Sequence, residues 1–242
     1  MKKLYFIIIP VVICSLLCAS SLLTRLNSYK TYTVANTPSD VTPTIIIDAG
    51  HGGFDGGAST DDGYAEKHIN LNISLHLRDL LVMSGYNVVM TRTEDISLED
   101  EGLDTVRERK RSDIYNRMKI MEETDNAIFV SIHQNHYSSE RYWGLQVFYS
   151  GNFSEYSQPM AEAIQETVSE LLQPDNDRQI KECGTSVYLL YNAKKPAILV
   201  ECGFLSNHKE AELLKTEEYQ KTISCCIYMG LLEYLSGGQR NG

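Results

Sequence analysis

Four side chains in this 242-residue chain have the types and placing for hydrolytic chemistry: His51, Glu66, His133 and Glu201. Two imidazoles and a carboxylate, His51, His133 and Glu66, make the His2Glu donor set of a catalytic zinc, which leaves a fourth position open to water. Zn2+ in such a site brings the pKa of water toward neutrality and polarises a carbonyl oxygen. A further carboxylate must then take the proton of the attacking water and hand it to the leaving nitrogen. Glu201 fills that vacancy.

Three of the four stand where apolar runs end. IIID leads into His51, IFVSI ends at His133, and AILV ends at Glu201. In open α/β sheets, ligands collect outside the carboxyl ends of the strands. Residues remote in sequence therefore converge there, provided their strands run parallel. Glu66 arrives from a helix: Ile69, Ile73, Leu77 and Leu80 recur at three- and four-residue steps, and Glu66 begins that inward stripe. A carboxylate buried there without a role would be costly. His68 and His76 lie about 200° and about 280° round the same helix and are expected in solvent. His51 itself sits among Gly50, Gly52, Gly53, Gly56 and Gly57. That loop is no phosphate cradle, since no Gly-Lys-Ser/Thr follows, and its spacing is not G-x-G-x-x-G.

The elements that must hold these groups are strands over residues 44–48, 86–92, 127–133, 145–150, 186–191 and 197–201. They alternate with helices over 66–83, 105–122, 156–172 and 217–235, and a shorter one near 209–214. Such alternation predicts an α/β fold with a central, mostly parallel sheet flanked by helices. The catalytic domain spans 44–236, with no internal repeat and no second module. Residues 94–104 are acidic and turn-prone and read as a mobile surface loop.

Four blocks in order, DAGHGGFDGGA (48–58), Glu66 opening a helix, VSIHQN (130–135) and PAILVECGFLSN (196–207), resemble the zinc-dependent N-acetylmuramoyl-L-alanine amidases of the amidase-3 type. The resemblance covers residues 44–235. By position it implies zinc ligands at His51, Glu66 and His133 and a catalytic acid/base at Glu201, on a sheet of about six strands. It implies cleavage of the amide between the lactyl group of N-acetylmuramic acid and L-alanine in peptidoglycan. The VECGFLSN block, the small size and the hydrophobic N-terminus look closest to the spore-cortex, germination-specific subgroup, in which the amidase opens the route to muramic δ-lactam. Gln134 departs from the small residue many relatives carry, which could narrow the site.

Other residues have plainer readings. His136 forms H-x-x-H with His133, but neighbours three apart in an extended segment point to opposite faces. Asn135 is a candidate for hydrogen bonding to substrate. Arg111 and Arg117 read as salt-bridged helix surface, and Cys202 as core, facing away from Glu201. Asp48 either supports a ligand or caps the glycine turn. Cys225 and Cys226 fall in an apolar helical pattern and read as core; no structural disulfide is expected.

Net charge is −10, and the four basic residues before residue 40 have no acidic counterpart there. That leaves 18 basic against 32 acidic residues in 40–242, a net −14. Nucleic acid, a polyanion, is thereby a poor partner. Lys2 and Lys3 precede an uncharged run at 4–23, long enough for a membrane span or a signal-peptide core. Residues 1–26 thus read as a signal or membrane anchor and 27–43, polar with two prolines, as a linker. The protein is expected to be exported and extracytoplasmic, membrane-anchored or secreted, with the intermembrane space of the developing spore as one compartment. Peptidoglycan is the expected substrate and an accessory protein a possible partner. Two rival readings are an exported zinc hydrolase acting on another amide, and an inactive membrane-tethered wall-binding protein.

Overall fold

The isoleucine run before His51 becomes a central strand, because a segment apolar on both sides needs cover on both. The computed structural model describes residues 42–237. The expected anchor (1–26) and nearly all of the linker (27–43) lie outside them. Among the described residues, no helix is long and apolar enough to cross a membrane.

The strands are β1 (Thr44–Ala49), β2 (Val88–Met90), β3 (Ala127–Asn135), β4 (Gln146–Tyr149), β5 (Lys181–Glu182) and β6 (Ala197–Phe204). They form one sheet in the order β2-β1-β3-β6-β4-β5. β1, β2, β3 and β6 run parallel, and only the β4–β6 pairing is antiparallel. The helices are α1 (Glu66–Met83), α2 (Val106–Glu123), α3 (Ser154–Leu171), α4 (Tyr188–Tyr191), α5 (His208–Leu214) and α6 (Glu217–Leu235).

One face of the sheet carries the larger core. Ile69, Ile73, Leu77 and Leu81 of α1, Met160, Ile164 and Val168 of α3, and Ile223, Ile227 and Leu231 of α6 pack with Ile45, Ile47, Val130, Ile132, Ile198 and Val200. Each such side chain contributes roughly 1.5–3 kcal/mol on burial. The other face is smaller: Ile46, Phe129 and Leu199 meet Met118 and Met121 of α2 and Leu190 of α4. With period-two alternation, Asp48, Ser131, His133 and Glu201 fall on the α2 side. Cys202 falls on the other, fully buried, as its neighbour's opposite facing requires.

Three expectations are corrected. Residues 186–191 are not a strand: Tyr188 and Tyr191 are exposed while Leu190 and Ala193 are buried, a three-residue step that closes the helical turn α4. The sixth strand is instead the two-residue β5. Residues 94–104 are tied down rather than loose: Leu98 N donates to Asp113 Oδ1 (2.7 Å), Asn116 Nδ2 to the Leu98 carbonyl (2.6 Å), and Arg109 binds Glu99 (2.6 Å). Cys225 is exposed; only Cys226 reaches the core.

Candidate active site

β1, β3 and the start of α1 deliver the three candidate ligands to one place. His51 Nε2 lies 3.3 Å from Glu66 Oε2, and His133 Nδ1 lies 3.0 Å from Glu66 Oε1. The two rings meet edge to face, with centroids 5.0 Å apart. One donor atom from each residue falls within 4.8 Å of the others, so the trio can hold a metal ion. Among the described residues this is the only such group; His136 is exposed and His68 and His76 are half-buried, all outside it.

The glycines make that convergence possible. A Cβ on Gly50 would fall on the His133 ring, and one on Gly57, where φ is +70°, would meet Glu66 Oε2 and the His51 ring. His51 has φ 61°, a left-handed conformation uncommon outside glycine. It is held there by a residue that sequence reasoning put on the surface. Arg117 is 2% exposed: its Nη2 donates to the His51 carbonyl (2.7 Å) and its Nη1 to the Ala49 carbonyl (2.9 Å) and Asp48 Oδ1 (2.5 Å). Its Nε binds Asp113 (2.7 Å). Arg92 takes the carbonyls of Ala49 (2.8 Å) and Gly50 (3.0 Å). Two guanidiniums thus clamp three successive carbonyls. By contrast Arg111 is exposed, lying over the Tyr115 ring.

Asp48 neither touches a candidate ligand's ring by a hydrogen bond nor caps the glycine turn. Its carboxylate accepts from Thr91 (2.8 Å), Ser131 (2.6 Å) and Arg117. Burial alone would raise its pKa, but Arg117 and these hydroxyls hold it below the usual carboxylate range. Asp48 therefore anchors the arginine that anchors His51.

Asp55 is a residue the sequence reading did not single out. Its Oδ2 meets His51 Nδ1 at 2.9 Å, which leaves Nε2 as the ring's donor toward Glu66 and a metal. Lys110 binds the other oxygen of Asp55 at 2.9 Å. Burial works against a charged His51, yet Asp55 and Glu66 outweigh it and raise the imidazole to about 9. A metal must displace that proton to bind. Asp55 carries a readable signal, a carboxylate four residues from a histidine in one glycine loop. Arg117 carries none that stands out, because ten of the eighteen residues of its helix are charged.

Glu66 is 2% exposed, and five contacts, that from His51 to Oε2 among them, fix its orientation. Ala58 N donates to Oε2 (2.9 Å), while Asn70 Nδ2 (3.0 Å) and Gln134 N (3.0 Å) donate to Oε1 beside His133. Burial opposes its charge, but the two imidazoles keep it ionised well below the ordinary range. Glu201 stands across from His133 in the β3–β6 ladder. Its Oε2 is buried and has no hydrogen-bond partner. Burial pushes this carboxyl up, His133 and His51 pull it down, Glu66 pushes it up again, and the balance lies at about 7. A buried carboxylate oxygen left open beside two imidazoles is what a metal-dependent hydrolase needs for proton transfer, so the donor set and its neighbour fit a metal centre. Asn135 is half-buried at the strand end, its carbonyl accepting from Leu205 N (2.8 Å).

Comparison with known proteins supplies the family. A germination-specific N-acetylmuramoyl-L-alanine amidase of Bacillus subtilis (strain 168) is 36% identical over 192 residues, 79% of each chain. The CwlD amidase of Clostridioides difficile, solved in complex with the GerS lipoprotein, superposes with a TM-score of 0.77 at 41% identity, covering 80% of this chain and 98% of that one. The catalytic domain of CwlV, an N-acetylmuramoyl-L-alanine amidase from Bacillus (Paenibacillus) polymyxa var. colistinus, gives 0.65 at 29% identity, covering 80% and 98%. Residues 45–233 match the family model for N-acetylmuramoyl-L-alanine amidase, and the chain belongs to that family of peptidoglycan hydrolases.

Proposed function

We propose that this enzyme is a zinc-dependent N-acetylmuramoyl-L-alanine amidase in which His51, Glu66 and His133 hold the metal and Glu201 is the acid/base. The observation that carries the reading is the pairing of a three-residue donor cluster with the unpartnered, buried Oε2 of Glu201. When bound, zinc supplies a Lewis acid that polarises the scissile carbonyl and acidifies water. Glu201 takes a proton from the attacking water and returns it to the leaving nitrogen. A carboxyl with pKa about 7 is nearly as ready to give a proton as to accept one at neutral pH. Asp55 keeps Nδ1 of His51 engaged, so the ring offers Nε2.

The role that fits best is spore-cortex maturation, where release of the stem peptide from N-acetylmuramic acid prepares muramic lactam. The germination-specific relative and the likeness to CwlD support it. Residues 44–236 form the catalytic domain in this reading, 27–43 its tether and 1–26 the signal or anchor that places it outside the cytoplasm. The GerS complex of the C. difficile protein supports an accessory partner here as well.

The test is digestion of purified peptidoglycan by the purified protein, with mass analysis of fragments and elemental analysis of the enzyme. We expect free stem peptides beginning with L-alanine, and one zinc per chain that His51→Ala and His133→Ala lose. Fragments cut elsewhere would exclude the amidase specificity, and stoichiometric zinc in both variants would exclude the ligand set. For the cortex role, deletion of the gene should remove muramic lactam from spores; lactam at the parental level would exclude it.

A further inference from the structure

We infer that Gln134 is a positioning residue for Glu66, acting through Asn70, and that it sets how tightly the site holds zinc. This rests on the metal reading above. Asn70 lies one helical turn beyond Glu66 on α1 and is fully buried. Its amide nitrogen donates to Glu66 Oε1 at 3.0 Å and to the Gly50 carbonyl at 3.2 Å, which uses both of its hydrogens. Its oxygen accepts from Gln134 Nε2 at 3.1 Å. Glu66 and Gly50 offer only acceptors and so set which way the Asn70 amide faces, and the bond from Gln134 is the third tie that holds it there. Turned over, Asn70 would aim its oxygen at the Glu66 carboxylate and its NH2 at the NH2 of Gln134, so a repulsion would replace a bond at each end.

Gln134 is an odd residue to find there on grounds of stability. It is 4% exposed, and its Oε1 is buried with no hydrogen-bond partner. An unsatisfied buried carbonyl costs stability, and an apolar side chain of similar size avoids the cost. Leucine would, however, leave the buried Asn70 oxygen without its donor, so stability alone does not separate a structural role from a positioning one. If Gln134 only filled space, leucine would leave zinc affinity unchanged. If it holds the Asn70 amide, leucine loosens the carboxylate and zinc affinity falls. The backbone N–H of residue 134, which also donates to Glu66 Oε1, is kept by that substitution. The effect thus isolates the side chain.

The test is zinc affinity of the full chain by competition with a chromophoric chelator, beside thermal unfolding of the metal-free protein. Loss of a group that orients a metal ligand typically weakens binding about 10–100-fold. We expect that range for Asn70→Ala, with Asn70→Ser in its place should the alanine variant not fold. Gln134→Leu, one contact further out, should weaken zinc about three- to tenfold while the metal-free midpoint moves little, because one unsatisfied buried oxygen, Gln134 Oε1, is exchanged for another, Asn70 Oδ1. In the Asn70→Ala background, Gln134→Leu should change nothing more, because its path to Glu66 is already cut. Parental affinity in Gln134→Leu, or additive losses in the double variant, would each overturn the inference. A parent chain that binds no zinc would overturn the metal reading and this inference together.

Discussion

On one face of the sheet, α1, α3 and α6 cover Ile45, Ile47, Val130, Ile132 and Val200 with other hydrocarbon. On the other, α2 brings Arg117 and Asp113 down onto Asp48 at the carboxyl end of β1. The first face is cheap to bury and indifferent to small shifts in direction. The second pays a desolvation cost that its ion pairs roughly repay, so it adds little net stability. What it adds is aim. Each guanidinium hydrogen points one way, and the carbonyls of Ala49, Gly50 and His51 are held by Arg92 and Arg117 in a turn that hydrocarbon packing would not specify. The same face shows a second contrast: Asp48 is saturated with donors, whereas Glu201 keeps an oxygen free.

That second contrast gives the largest expected effect. Glu201→Gln should retain zinc and fold yet lose activity by about 10²–10⁴-fold, the usual contribution of a general acid/base. A drop under about tenfold in amidase rate would move the proton-transfer role elsewhere. Next, Arg117→Met leaves Asp48 and Asp113 charged and unpaired, and should cost about 3–5 kcal/mol in denaturant unfolding. It should also weaken zinc, since the His51 carbonyl loses its holder. Leu77→Ala on the hydrocarbon face should cost a comparable or smaller amount, about 2–5 kcal/mol, with the zinc affinity of the folded protein unchanged. Equal zinc affinity in the two variants would erase the distinction drawn between the faces.

A smaller effect concerns pH. Glu201 is raised to about 7 from 4.5 in the folded state, so ionising it works against folding. The penalty is absent below about pH 4.5, grows as pH rises, and is complete above 7. Metal-free Glu201→Gln should therefore be more stable than the parent at pH 8, by on the order of 1–3 kcal/mol, and the difference should shrink toward nothing near pH 4.5. Unfolding curves at both pH values check the sign; a variant less stable than the parent at pH 8 would contradict it. A modest change is expected of Asp55→Asn, about tenfold weaker zinc by chelator competition, because the amide still reaches His51 Nδ1 but without charge.

The same two faces explain what could be read from the chain. His51, His133 and Glu201 were legible because apolar runs point at them, and Glu66 because it opens an apolar stripe. The mostly parallel sheet followed from the alternation of strands and helices. Arg117 was not legible: hydrophobic periodicity finds carbon, and a buried guanidinium among Arg107, Arg109, Lys110 and Arg111 looks like one more surface charge. Residues 186–191 misled for the opposite reason. A short apolar run suits a strand and a helical turn equally, and only the burial of Leu190 and Ala193 separates them.

Gly50 contributes no functional atom, yet the volume its missing side chain would fill is occupied by the His133 ring. In a saturation mutagenesis screen this position should therefore score like a metal ligand, with every one of the nineteen replacements inactive, alanine included. Mutational tolerance at Gly50 would measure the seating of a residue 83 positions away in the chain. A map of essential positions drawn from such a screen would mark more sites than the four the chemistry uses, with Gly57 beside Gly50 among them.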